Sequence, residues 1–139
     1  MISATMDAPH ILVVEDEPDI ASMLNACLEL FGYRVTLART GAEAILAAMH
    51  AEPDVIILDM KLPDMSGDEV CRRLRQETRT ARTPVIFLSA MTQRNDIARG
   101  LTAGAEDYLT KPIDLQVLYE RIKAALGQDQ DHTMFRFTS

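Results

Sequence analysis

The sequence predicts a doubly wound α/β fold: five strands in one parallel sheet, each followed by a helix. Three observations predict it. Apolar runs recur at Ile11–Val14, Val55–Leu58 and Val85–Leu88. They do not alternate with polar residues, as expected of strands covered on both faces. Stretches of helical periodicity separate them. Carboxylates follow two of the runs directly, Glu15 and Asp16 after the first and Asp59 after the second. In open α/β sheets, ligands and chemistry collect at the carboxyl ends of the strands.

The elements follow in order. Ile11–Val14 reads as a central strand. Ile20, Met23, Leu24, Cys27, Leu28 and Phe31 trace one face of the first helix. Pro18 stands near its start and Gly32 where a terminating glycine belongs. Tyr33–Leu37 alternates, which suits an edge strand with one wetter side. Thr40 and Glu43 form a T-x-x-E capping box that opens a helix over 41–51, and Ser66 with Glu69 repeats the signal for 67–76. Val55–Leu58 and Val85–Leu88 supply the other central strands. A fourth helix is predicted over 93–103, and 105–110 is a weaker candidate for the second edge strand. Asp114 can cap a fifth helix whose core stripe is Leu118, Ile122 and Ala125. Regular βα alternation implies helices on both faces of the sheet.

The chain has 139 residues, enough for one domain with a full core. Residues 1–9 read as an N-terminal extension, 10–126 as the domain, and 127–139 as a tail expected to be disordered, with a short docking peptide as the functional alternative. The net charge of −7 argues against direct binding to nucleic acid. No stretch is apolar and long enough to cross a bilayer, and Met1–Pro9 lacks the features of a signal peptide, so the expected setting is cytoplasmic. Cys27 and Cys71 have no zinc-like spacing and read as reduced core or boundary thiols. His10, His50 and His132 fit no motif and read as structural or solvated.

Singly, the residues at the strand ends have ordinary explanations. Glu15, Asp16 and Glu17 suit the start of a helix. Asp59 could open a turn, Ser89 cap a helix, and Lys111 sit in solvent. With a sheet order of 2-1-3-4-5, however, Glu15, Asp16 and Asp59 converge where the strand order reverses. Three close carboxylates repel one another in a low-dielectric crevice. A hard cation such as Mg²⁺ would offset them, with Lys111 adding positive charge. Asp59 then becomes a plausible nucleophile toward a phosphoryl group, and Ser89 a hydrogen-bond donor to its oxygens.

The motifs Val13-Val14-Glu15-Asp16-Glu17, Leu58-Asp59-Met60-x-Leu62-Pro63-x-Met65-x-Gly67, Leu88-Ser89-Ala90 and Asp107-Tyr108-Leu109-Thr110-Lys111-Pro112 resemble those of the receiver domain of two-component response regulators. The resemblance runs from about His10 to Leu126. It implies a flavodoxin-like (βα)5 fold. It implies that Asp59 accepts a phosphoryl group from a sensor histidine kinase or a histidine phosphotransfer protein. Mg²⁺ would be held by Asp16, by Glu15 directly or through water, by Asp59 and by the Met60 carbonyl, with Lys111 paired to Asp59 and the Lys111–Pro112 peptide bond cis. Ser89 would move to the phosphoryl group and Tyr108 turn inward, altering the face made by the fourth helix, fifth strand and fifth helix. That face would bind an output partner or a second copy.

Some positions depart from the commoner pattern, with Glu15 in place of Asp and Ser89 in place of Thr. Lys61 and Met91 stand two residues beyond Asp59 and Ser89. There they are expected to tune phosphoryl loss, shielding the acyl phosphate and slowing autodephosphorylation. The chain reads as a regulatory phosphoacceptor, not an enzyme on other substrates. One alternative is a receiver cut from a hybrid kinase or longer regulator. Another is a Mg²⁺-dependent phosphohydrolase of the haloacid-dehalogenase type, but that class needs a second Asp where Lys61 stands.

Overall fold

A computed structural model describes residues 7–127. Most of the N-terminal extension, the tail beyond Gly127 and His132 lie outside the described residues. Five strands alternate with five helices: β1 His10–Val14, α1 Pro18–Leu30, β2 Arg34–Ala38, α2 Gly41–Ala51, β3 Val55–Leu58, α3 Gly67–Gln76, β4 Val85–Ser89, α4 Arg94–Thr102, β5 Asp107–Thr110 and α5 Leu115–Ala125. The sheet is wholly parallel in the order β2-β1-β3-β4-β5. The predicted doubly wound flavodoxin-like architecture is the one observed.

The apolar runs explain the layering. Alternate residues of a strand point to opposite faces. Leu12, Val14, Ile56, Leu58, Val85 and Phe87 pack with Ala44 and Ala48 of α2, Val70, Cys71 and Leu74 of α3, and Ala103 after α4. Ile11, Val13, Val55, Ile57, Ile86 and Leu88 pack on the other face with Leu24 and Leu28 of α1 and Leu118 and Ile122 of α5. Burying each large side chain of this kind contributes about 1.5–3 kcal/mol. The edge strand β2 is wetter, with Leu37 exposed.

Several local expectations are modified. Met23 is exposed, and Ala21 joins Leu24 and Leu28 on the buried stripe of α1. Thr40 Oγ1 accepts from Glu43 N at 3.1 Å, but the Glu43 carboxylate reaches Arg39 N at 2.9 Å instead of Thr40. Ser66 makes no side-chain cap bond to α3, and the Glu69 carboxylate is drawn to Arg72 and Arg73 at 2.8 and 2.9 Å. Asp114 does cap α5, accepting from Val117 N at 3.2 Å. Cys27 is half-buried and Cys71 buried, both as free thiols. His10 is buried and structural: Nε2 lies 2.7 Å from Thr36 Oγ1 and Nδ1 3.3 Å from the Ala51 carbonyl. His50 is exposed at the end of α2.

Candidate functional site

The sheet's hydrogen bonding runs past the strands and fixes the residues that follow them. Glu15 N donates to the Ala38 carbonyl at 3.0 Å, Asp59 N to Val14 at 3.1 Å, and Lys111 N to Ser89 at 2.9 Å. Positions from four strands are thereby brought to one edge. Glu15, Asp16 and Asp59 each offer a carboxylate oxygen, and these lie within 4.8 Å of one another. Glu15 and Asp59 are buried and Asp16 is half-buried.

Lys111 closes the cluster. Its Nζ donates to Glu15 Oε1 at 2.9 Å and to Asp59 Oδ2 at 3.1 Å, with only 14% of the side chain exposed. Glu15 Oε2 also accepts from Glu17 N at 3.2 Å, and Asp59 Oδ1 from Lys61 N at 3.2 Å. Burial pushes the Glu15 carboxyl up from its ordinary value. The bonds from Lys111 and Glu17 N oppose that, and the charge on Asp59 adds to it. Burial also works against the charge on Lys111, but the two carboxylates outweigh it and hold the ammonium above its usual value. A carboxylate cluster with one lysine therefore keeps a net attraction for cations.

Asp16, Asp59, Lys61, Pro63, Ser89, Met91 and Lys111 line a cleft of about 370 Å³. Ser89 is fully buried, and its Oγ accepts from Met91 N at 3.1 Å. Tyr108 stacks on Phe87 with ring centroids 5.5 Å apart, and its hydroxyl donates to the Met91 carbonyl at 2.5 Å. Burial raises the Tyr108 phenol above its ordinary pKa. The resemblance ties an inward Tyr108 to phosphorylation. Here the ring is half-buried. The Lys111–Pro112 peptide bond is cis. Met60 is buried, and its carbonyl accepts from Gly67 N at 2.7 Å, which leaves a second lone pair.

The donor set suits a hard divalent cation. It is all oxygen, clustered and carries excess negative charge. Neither free thiol nor either of His10 and His50 belongs to it. Two supporting residues escaped the sequence reading. Asp64, in the loop after β3, accepts from Gly41 N at 2.7 Å and Ala42 N at 2.9 Å, so it holds the N-terminus of α2. Asp68 is buried beneath two arginines. Only its spacing from Arg72, four residues on, signalled a pair in the sequence.

Comparison with known proteins agrees with this geometry. The family model described as response regulator receiver domain matches residues 11–123. The chain is 42% identical over 118 residues to the DNA-binding dual master transcriptional regulator RpaA of Synechocystis sp., covering 85% of this chain and 49% of that protein. It is 46% identical over 119 residues to the transcriptional regulatory protein KdpE of Mycobacterium tuberculosis, covering 86% and 51%. The chain thus spans about half the length of these relatives. Among solved structures, the receiver domain of the sensor histidine kinase PA1611 from Pseudomonas aeruginosa superposes with a TM-score of 0.81 at 34% identity. It covers 86% of this chain and 98% of that one, and it carries a magnesium ion in its active site cleft. Fold, acidic cluster and family model converge, and the chain belongs to the response regulator receiver domain family.

Proposed function

We propose that residues 10–126 form the phosphoacceptor module of a two-component phosphorelay, with Asp59 as the acceptor. The observation that carries the reading is the convergence of Glu15, Asp16, Asp59 and Lys111 on one cleft, with buried Ser89 at its wall. An Asp59 oxygen bonds to phosphorus as the phosphorus–nitrogen bond of a phosphohistidine breaks and the imidazole leaves. The donor is a sensor histidine kinase or a histidine phosphotransfer protein. Glu15, Asp16, Asp59 and the Met60 carbonyl would hold Mg²⁺, which when bound neutralises charge on the phosphoryl oxygens. Lys111, freed from Asp59, follows the transferred group and offsets its charge. Ser89 exchanges the Met91 amide for a phosphoryl oxygen.

That exchange is the proposed switch. Met91 N holds Ser89, and the Met91 carbonyl holds Tyr108. A change at Ser89 therefore reaches β5 and α4 through one residue, biasing the face formed by α4, β5 and α5. This face would bind the output partner or a second copy. A longer regulator or hybrid kinase containing this receiver is the second reading, favoured by the lengths of the relatives.

The test is incubation with Mg²⁺ and acetyl phosphate, read by intact mass. The wild-type protein should gain one phosphoryl group and Asp59→Ala none. Modification that persists in Asp59→Ala, or is absent from the wild type, would overturn the assignment.

A further inference from the structure

The loop between β3 and α3 carries two parts of the site, the Asp59 carboxylate at its start and the Met60 carbonyl behind it. Lys61 and Pro63 of the same loop line the cleft. Two ties close the loop on itself. Gly67 N donates to the Met60 carbonyl at 2.7 Å, and Lys61 forms an antiparallel bridge to Ser66. A third tie leaves the loop. Both carboxylate oxygens of Asp64 reach the start of α2, Oδ1 accepting from Gly41 N at 2.7 Å and Oδ2 from Ala42 N at 2.9 Å. These bonds hold the Asp64 carboxyl below its ordinary pKa, so it is ionised at neutral pH.

Helix α2 has a cap of its own without this carboxylate. Thr40 supplies it, Oγ1 accepting from Glu43 N at 3.1 Å. The first amides of a helix can also be satisfied by water, and Ala42 is exposed. What the Asp64 bonds add is a fixed spacing between loop and helix. The seam between them is close-packed as well: a Cβ on Gly41 would lie 2.5 Å from Met65 Cγ and 2.8 Å from its Sδ. Pro63, one residue before Asp64, lines both the cleft and the hollow beside it, and Asp16 lines the same two. The tip of the loop is therefore set beside one acid of the cluster, while its base carries another.

We propose that Asp64 is a positioning residue for the cation site, fixing the Asp59–Met60 segment against α2 so that Mg²⁺ meets ligands already arranged. The inference deepens the receiver reading above and rests on it. Asp64 is not one of the clustered carboxylates and acts through its neighbours in the loop. A site held in its binding geometry binds more tightly, because less freedom is lost when the ligand arrives. Freeing the loop from α2 should therefore weaken Mg²⁺ binding.

The probe is Mg²⁺ itself, titrated into the full chain at constant ionic strength and followed by the backbone amide shifts of Asp59 and Lys61 in NMR spectra. Asp64→Ala should bind it about two- to tenfold more weakly, the size of a net hydrogen bond. Asp64→Asn keeps an acceptor oxygen and drops the charge, so its loss should be smaller than that of Asp64→Ala. Thr40→Ala removes a cap of the same helix from outside the loop. It should lower the urea midpoint and leave the Mg²⁺ affinity unchanged. Unchanged affinity in Asp64→Ala, beside normal wild-type binding, overturns the positioning role alone. Equal losses in Asp64→Asn and Asp64→Ala overturn it too, since charge by itself would produce them. A matching loss in Thr40→Ala would trace the effect to the helix and overturn it likewise. No Mg²⁺ binding by the wild type overturns the cation site, and the positioning role with it.

Discussion

Gly67 offers a stringent test of how the site is built. It opens α3, and an added Cβ would lie 2.2 Å from the Asp59 carbonyl oxygen, 2.8 Å from Met60 Cα and 2.9 Å from Phe87 Cε1. Two of these neighbours are backbone, which cannot swing aside as a side chain can. The closest contact falls about an ångström short of ordinary separation. In Gly67→Ala the loop after β3 must therefore open, stretching the 2.7 Å bond from Gly67 N to the Met60 carbonyl. Overpacking of this kind with a weakened hydrogen bond amounts to about 2–4 kcal/mol. Urea denaturation followed by circular dichroism should show the midpoint falling by about 1–2 M. Because the displaced carbonyl belongs to Asp59, beryllofluoride binding should weaken as well. Gly32 is the control. Its Cβ would meet nothing within 4 Å, but its φ of +97° is left-handed. Gly32→Ala should lose about 1–2 kcal/mol by strain and leave the ligand affinity intact. A Gly67→Ala protein with both stability and affinity of the wild type would refute the reasoning.

Other outcomes follow from the same contacts. Lys111→Met strands the buried Glu15 and Asp59 carboxylates and should lower stability near pH 7 by about 3 kcal/mol. Since the Glu15 carboxyl is already pushed up, that loss should shrink at mildly acid pH as Glu15 takes a proton; equal urea midpoints for variant and wild type would count against the pairing. Asp68 titrates at about 2 in the fold against an ordinary 3.8, so the unfolded chain takes the proton first. Its contribution to stability is full above pH 3.8 and lost as pH falls toward 2, and Asp68→Asn should flatten that part of the midpoint-against-pH curve. Millimolar Mg²⁺ should raise the wild-type urea midpoint by mass action and raise it less in Asp16→Ala. Labelled phosphoprotein should decay faster in Lys61→Ala and Met91→Ala, both of which remove bulk from the wall of the cleft; unchanged decay in both would dismiss shielding.

Much of this was legible from sequence because the signals were local and mutually consistent. The central strands declared themselves by unbroken apolar runs, and the cluster by its acids standing one residue beyond them. Two expectations failed where a local rule met a stronger partner. Glu69 has the spacing of a capping residue for Ser66, but two arginines on its own helix compete for it. Met23 has the period of the α1 stripe, but it is exposed and Ala21 takes the buried place. The Asp68–Arg99 pair was invisible for another reason. Its partners are 31 residues apart on different helices, and only the packing of α3 beside α4 brings them together.

Ser89 and Tyr108 are both bonded to residue 91, and both bonds are made by its main chain. The Met91 side chain lines the cleft but takes part in neither. Any residue other than proline supplies the same N–H and the same carbonyl. On the proposed reading, substitutions there reset the lifetime of the phosphoryl group and leave both main-chain bonds in place.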